Sequence, residues 1–477
     1  MIAVLQTISI GILAFFVVYC VATWTLLVMS LREISWFARG QEPTHKHPGQ
    51  LAHRPSVSLI TPAYNEETLI VQSAKAFLAS DYAPLEVVVV DDGSKDETFL
   101  RLEEAFDLVS LPLRGRTALN TAPIRSVSIS RIEPRLRVVS KDNGGRSDAI
   151  NAGISIARGE LVVIVDADSL LEPDAITRSV RPFEVHPDSC MAAGGGIRVA
   201  NGSLVAGGRV ITPGVSWREG IGATQVLEYL RGFYATRIAW SEMNALLIIS
   251  GAFGVFRRDL LIALGGFSRS TLGEDMEMTM RIHHLLRPQW KEARVEFVPD
   301  AVCWTEAPGT LGGLRNQRVR WHAGLLDNLR MHWGMFGRRR FGAAGIFAMP
   351  YMVLFEAIEP LVEVLGFAIV IALLIANAVN WTYLVAFFLV ALVTGEVLST
   401  TALLIEEVGF RRYRAKDLAR LTAWGLLEAL WFRPVLAWWR LKATLLALTG
   451  RRPGWGVIPR GEAILEHPAE VVAPLTR

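Results

Sequence analysis

The stretch ELVVIVDAD (residues 160–168) sets the architecture. Leu161 to Val165 form an unbroken aliphatic run with no polar face to offer water, so they read as a strand buried on both sides. Three other stretches have the same character: SVSLITP (56–62), LEVVVVDD (85–92) and LRVVS (136–140). Helical patterns separate them, at 67–79, after Asp91-Asp92-Gly93-Ser94, and at 147–157. Strands that alternate with helices predict a parallel sheet covered on both faces, hence an α/β domain. In such sheets ligands bind beyond the carboxyl ends of the strands. Three of the four strands end there in polar or acidic residues: Asn65-Glu66, Asp91-Asp92 and Asp166 with Asp168. Residues 110–135 read as a polar insertion, a surface loop.

Composition narrows the class. The chain has 477 residues, 51% of them apolar and 20% charged, with a mean hydropathy of +0.32. That excludes a disordered chain and argues against a fully soluble one. The 49 basic and 46 acidic residues nearly cancel, so no nucleic-acid partner is expected. Cys20, Cys190 and Cys303 are scattered, and make neither a disulfide framework nor a zinc site.

Residues 2–31 carry no charge, are long enough to span a bilayer, and are followed by Arg32, Arg39, Lys46 and Arg54. The positive-inside rule makes that flank cytoplasmic. Apolar runs return at 345–376 and 382–405, the first preceded by Arg338-Arg339-Arg340. Residues 421–449 are apolar but broken by Arg433-Pro434, and read equally as a kinked span, a hairpin or an interfacial helix. The expected organisation is a membrane anchor (1–31), a cytoplasmic domain (52–310), interfacial helices (311–344), membrane or interfacial helices (345–449) and a tail (450–477). Glu356, Glu359 and Glu363 share one face of the apolar stretch. They read as the lining of a hydrophilic pore or as hydrated acids at the interface.

Each motif has a chemical and a structural reading. Asp166 and Asp168 offer hard oxygen ligands for Mg²⁺ or Mn²⁺, or a turn that caps a helix. Asp91-Asp92-Gly93-Ser94 makes a nucleotide contact or a capped turn. Arg146 follows Gly144-Gly145 at a helix start, which suits a phosphate or simply a cap. Asp275, after Gly273-Glu274, could take a proton from a hydroxyl or begin a solvated helix. Gln317, Arg320 and Trp321 could grip a pyrophosphate and a sugar ring, or anchor the chain at the headgroups.

Their order carries more than any one of them. Pro62-Ala63-Tyr64-Asn65-Glu66, Asp91-Asp92-Gly93, Asn143-Gly144-Gly145-Arg146 with Asn151, Asp166-Ala167-Asp168, Gly251-Ala252, Gly273-Glu274-Asp275 and Gln317-x-x-Arg320-Trp321 succeed one another over residues 55–325. This resembles the processive membrane-embedded family 2 glycosyltransferases, the hyaluronan, chitin-oligosaccharide, poly-N-acetylglucosamine and cellulose synthases. The resemblance implies a GT-A-type nucleotide-sugar-binding domain, with a mostly parallel sheet, inserted between transmembrane helices.

By the same resemblance Tyr64, Asn65, Glu66, Asp91, Asp92, Arg146, Asp166, Gln317 and Arg320 would bind the donor, with Asp91 or Asp92 on the uridine. Asp166 and Asp168 would hold Mg²⁺ or Mn²⁺, Asp275 with Glu274 would be catalytic, and Trp321 and Gly251 would meet the acceptor. The implied enzyme inverts the anomeric centre. It polymerises a UDP-sugar, UDP-N-acetylglucosamine by family frequency, into a β-linked glycan and extrudes it from the cell (inner) membrane. Its partners would be the UDP-sugar donor, the growing glycan, the lipid bilayer and accessory export proteins. The alternatives are transfer of a single sugar to a membrane lipid, and a catalytically silent channel or scaffold. Two departures stand out: Gly273 replaces the usual threonine, and Arg146 the usual lysine.

Overall fold

The computed structural model describes residues 2–38, 54–112, 117–215, 220–410 and 412–451. Arg39, Lys46 and nearly all of the expected tail lie outside them. The chain opens with a 37-residue helix, α1 (Ile2–Ala38). The α/β domain follows as β1 (Val57–Ala63), α2 (Ile70–Leu78), β2 (Leu85–Asp91), α3 (Thr98–Phe106), β3 (Leu108–Leu111), β4 (Ile124–Ser130) and β5 (Leu136–Lys141). It continues with α4 (Arg146–Ile156), β6 (Leu161–Val165), β7 (Ser169–Leu171), α5 (Ala175–Val185), β8 (Cys190–Val199) and a small hairpin, β9 (Leu204–Ala206) and β10 (Arg209–Thr212). Next come α6 (Gly220–Leu230), which runs through a π-helical segment into α7 (Ile238–Glu242), then β11 (Phe253–Arg257), α8 (Arg258–Ala263), α9 (Glu274–Leu286) and β12 (Arg294–Thr305). The remaining helices are α10 (Leu311–Met331), α11 (Met349–Tyr351), α12 (Glu359–Ile375), α13 (Trp381–Gly409) and α14 (Ala415–Leu448).

Ten strands make one mixed sheet in the order β3-β4-β5-β2-β1-β6-β11-β8-β12-β7. The four strands legible as Val/Ile runs, β5, β2, β1 and β6, are its parallel centre. Leu59, Ile60, Val87 to Val90, Val138, Val139, Val162 and Val163 are fully buried there, as runs without a polar face require. β11 reverses direction between β6 and β8, which makes the sheet mixed beyond that point.

The described residues of the stretch 110–135, namely 110–112 and 117–135, are not a surface loop. They hold the end of β3 and all of β4, an antiparallel hairpin on the edge of the sheet. β3 is the edge strand, and β4 lies inside it with Val127, Ser128 and Ser130 buried.

Among the described residues, three helical segments are long and apolar enough to cross a membrane: 4–35, 344–375 and 384–409. The last helix is one continuous element with Pro434 inside it, so the hairpin reading of 421–449 fails. The apolar stretch before α12 is π-helical from Met352 to Ile358 and runs straight into α12, so Pro360, which has no N–H, leaves a helical hydrogen bond unmade there. Arg440 of α14 faces two of the acids on that stretch, Glu356 at 3.8 Å and Glu359 at 3.9 Å. Residues 220–242, expected within a soluble domain, instead pack against α1, α13 and α14.

Candidate active site

β6 ends at Val165, and Asp166-Ala167-Asp168 form a turn closed by the Ser169 amide on the Asp166 carbonyl, 3.1 Å. The strand thus stops short of the two carboxylates, and the turn sets their directions. Asp166 is gripped by Arg146, from Nε at 3.0 Å and from Nη2 at 2.7 Å on the same oxygen. Nη2 also donates to the Gly251 carbonyl at 2.7 Å, and Nη1 donates to Glu274. One guanidinium thus ties together β6, the turn before β11 and the start of α9. Burial weakens its hold on the proton, but Asp166, Glu274 and Asp275 outweigh that and raise the Arg146 pKa above its ordinary value.

Asp275 lies beside Glu274 in the first turn of α9. Its carboxylate accepts from the Gly251 amide at 2.8 Å and from the Met276 amide at 2.8 Å. Burial and the charge of Glu274 push its pKa up, against these two amides and Arg146. Gly251 sits in a tight place: a Cβ there would stand 3.3 Å from Arg146 Nη2 and 3.4 Å from Asp275 Oδ2. Arg146, Gly251, Phe256, Phe267 and Asp275 line a small cavity at this point.

α10 brings Arg320 within electrostatic reach of Arg146, Asp166, Glu274 and Asp275, because it packs directly on the turn before α9. A Cβ on Gly324 would come 2.9 Å from the Gly273 nitrogen, and Asn328 Nδ2 donates to the Gly273 carbonyl at 2.7 Å. A Cβ on Gly273 would meet that same Nδ2 at 3.0 Å, a tight fit that suits glycine where threonine was expected. Gln317 is buried. Burial and the nearby Arg146 lower the Arg320 pKa, while the field of Glu274, Asp166 and Asp275 opposes them. Trp321 is 43% exposed, with the Arg318 guanidinium 4.4 Å over its ring and Tyr229 at 6.4 Å.

The polar ends of β1 and β2 do different work. Both oxygens of Asp92 are engaged internally: Lys141 Nζ at 2.5 Å and the Gly144 amide at 3.0 Å on one, the Gly145 amide at 2.8 Å on the other. Burial raises the Asp92 pKa against these donors. Asp91 accepts from the Ser94 amide at 3.0 Å and is buried. Asn65, in the left-handed region at φ 58°, accepts the Lys95 amide at 2.8 Å, Glu66 is buried, and Tyr64 is 43% exposed. Asn151 clips Phe267 by two hydrogen bonds, 2.7 and 2.9 Å, and faces no open site.

The sequence reading missed two cations. Lys141, wholly buried between Asp92 and Asp148, has no local pattern that betrays it. Arg237 stacks 3.8 Å over Phe233, and burial lowers its pKa to about 10 against the pull of Asp275. Two arginines, with Glu228, in the largely apolar stretch 226–240 were the available signal.

Comparison with known proteins agrees with this geometry. The model for glycosyl transferase family 2 matches residues 58–265, and that for chitin synthase matches residues 269–442. The chain is a glycosyltransferase, and its residues 58–265 match family 2. This glycosyltransferase is 24% identical, over 80% of each chain, to the poly-beta-1,6-N-acetyl-D-glucosamine synthase of Staphylococcus epidermidis. It is 25% identical to the Staphylococcus aureus (strain COL) protein of that name, over 56% of this chain and 54% of the relative. Among solved structures it is similar to a mannosyltransferase from Pyrobaculum calidifontis in complex with GDP-Man and Mn²⁺, with a TM-score of 0.51 and 22% identity. That likeness covers 90% of this chain and 99% of the other, and establishes a shared fold.

Proposed function

We propose that this glycosyltransferase polymerises UDP-N-acetylglucosamine into a β-linked glycan and passes it through its own membrane helices. The catalytic domain would face the cytoplasm, at an inner membrane spanned by the apolar helices. The convergence of Asp166, Arg146, Glu274, Asp275 and α10 on one point beyond the parallel strands carries the reading. The names of the staphylococcal relatives support the choice of sugar.

The donor set suits a divalent cation. Asp166 and Asp168 supply hard oxygens, and no third His, Cys, Asp or Glu joins them among the described residues. Two carboxylates with positions left open for substrate phosphates is the way Mg²⁺ or Mn²⁺ is usually held. Such an ion would neutralise charge on the departing diphosphate. The remaining steps belong to the protein. Arg146 and Arg320 add positive charge where the phosphates lie, with Gln317 beside them. Asp92 and Lys141 hold the Gly144-Gly145 turn, and so position Arg146. Tyr64, Asn65, Glu66 and Asp91 border the nucleotide end.

Asp275 takes the proton of the acceptor hydroxyl as its oxygen attacks the anomeric carbon. The carbon–phosphate oxygen bond breaks, UDP leaves, and the α-linked sugar becomes β-linked. The raised Asp275 pKa makes it a stronger base than an exposed aspartate. Trp321 and Gly251 border the acceptor sugar, and Glu274 keeps Arg146 in place.

The test is product size. Full-length protein in nanodiscs would be incubated with a panel of UDP-sugars and the products sized. Long polymer from UDP-N-acetylglucosamine supports the reading, whereas one sugar on lipid would replace processive synthesis by single transfer.

A further inference from the structure

We infer that Arg146 gates the metal site: it holds Asp166 in the free enzyme, and a divalent cation gains that carboxylate only when a diphosphate takes the guanidinium over. The inference rests on the proposed metal role of Asp166 and Asp168. Every nitrogen of the guanidinium is engaged, Nε and Nη2 on one Asp166 oxygen, Nη2 also on the Gly251 carbonyl, and Nη1 on Glu274. The side chain is 18% exposed, Glu274 9% and Asp166 33%, so the Glu274 pair is sheltered from competing water and salt while the Asp166 pair is the one open to exchange. A metal ion arriving alone must therefore displace two charge-assisted hydrogen bonds or take the other Asp166 oxygen, and in either case it settles beside a fixed positive charge.

A metal–nucleotide pair meets no such obstacle. The diphosphate offers the planar guanidinium two oxygens to grip in parallel in exchange for Asp166, so the cation's repulsion and the lost ion pair are offset together. Glu274 and the Gly251 carbonyl keep the guanidinium near the phosphates during that exchange. A lysine could not do this, because a single ammonium lacks the fork that spans Asp166, Gly251 and Glu274 at once. The consequence is thermodynamic coupling: nucleotide raises metal affinity, and metal raises nucleotide affinity by the same factor.

Mn²⁺ binding to full-length protein in nanodiscs, followed by the paramagnetic resonance of the free ion, tests this without turnover. Without nucleotide, Arg146→Gln should bind Mn²⁺ at least tenfold more tightly than the native protein, and Arg146→Lys should fall between them. UDP should raise Mn²⁺ affinity by a larger factor in the native protein than in Arg146→Gln. Unchanged Mn²⁺ affinity in both variants without nucleotide would overturn the gate. Asp168→Asn with UDP present separates the two ideas: if it still binds Mn²⁺ normally, the metal-site reading fails. If it loses Mn²⁺ while both Arg146 variants match the native protein, only the gate fails.

Discussion

Replacing Lys141 by methionine should unfold the catalytic domain more easily and disable it by displacing Arg146. Lys141 Nζ is completely buried, 2.5 Å from Asp92 and 2.7 Å from Asp148. Removing one partner of a buried ion pair costs about 3–5 kcal/mol, because the opposite charge is left without compensation. Two features place the loss near the lower end. Asp148 keeps Arg269 at 2.7 Å and the Ala122 amide at 3.0 Å, and Asp92 keeps the Gly144 and Gly145 amides.

At about 2–4 °C per kcal/mol for a domain of this size, the melting temperature should fall by about 6–12 °C. The deficit should depend on pH. Asp92 already has a raised pKa, so its ionised form is the disfavoured one in the native state. That penalty is full above the native pKa and absent below the ordinary carboxylate value. Losing Lys141 enlarges it, so the gap from the native protein is widest near neutrality and closes towards acid. Adding Asp92→Asn to Lys141→Met should recover part of the loss, a coupling on the order of 1 kcal/mol. Because Asp92 fixes the turn that carries Arg146, kcat should fall by about 10²-fold, the cost of a misplacement near 1 Å. Thermal unfolding followed by tryptophan fluorescence, paired with UDP release, reads both effects. A Lys141→Met protein that melts with the native one near neutral pH would refute the reasoning.

Four further outcomes are expected. Asp275→Asn should lower kcat by about 10²–10⁴ while UDP-sugar binding persists; loss of donor binding would move Asp275 to the donor site. Since burial and Glu274 raise its pKa, native activity should fall with acid from above the ordinary aspartate range, and that limb should vanish in Asp275→Asn. Asp168→Asn, or excess chelator on native protein, should reduce UDP release by several orders of magnitude; full activity in chelator would remove the metal from the mechanism. Gly251→Ala forces a methyl against Arg146 and Asp275, and should cost at least tenfold in kcat with little change in melting temperature; native turnover would show that the site yields there. Trp321→Ala should shorten the glycan more than it slows UDP release, and unchanged length would leave Trp321 as an interfacial anchor.

How much of this was legible depended on the range of the interaction. Aliphatic runs announced β1, β2, β5 and β6, because burial on both faces leaves a mark within five residues. The β3–β4 edge gave a weaker mark: a half-exposed strand such as RSVSIS shares its composition with a loop. The helical segment 220–242 read as soluble because its contacts with α1, α13 and α14 come from distant parts of the chain. Motif order brought Asp166, Arg146, Glu274 and Asp275 to one site, but not their pairing. Arg146 bonds partners 20 and 128 residues away, and only the folded chain decides which acid it takes. Asp91 and Asp92 looked alike in sequence, yet Asp92 alone holds the glycine turn.

The same logic explains how the sheet is seated on the helices. Arg198 of β8 is fully buried and pairs with Glu406 of α13 at 2.6 Å, while its Nη2 donates to the Tyr234 hydroxyl at 2.7 Å. Arg412, between α13 and α14, pairs with Glu172 just after β7, and Glu172 also accepts from Trp304 Nε1 at 3.2 Å. Arg318 of α10 meets Glu228 of α6 at 2.7 Å. Buried pairs add little net stability, since desolvation offsets their attraction, but breaking one costs about 3–5 kcal/mol. Any other docking of the sheet on α13 and α14 would strand several such charges at once. These pairs therefore act less as glue than as a register. Through β7 that register reaches Ser169, the residue after Asp168, and through α10 it reaches Arg320. The two halves of the site, one on the sheet and one on the helix that leads to the membrane, are held against each other by charges that sit outside it.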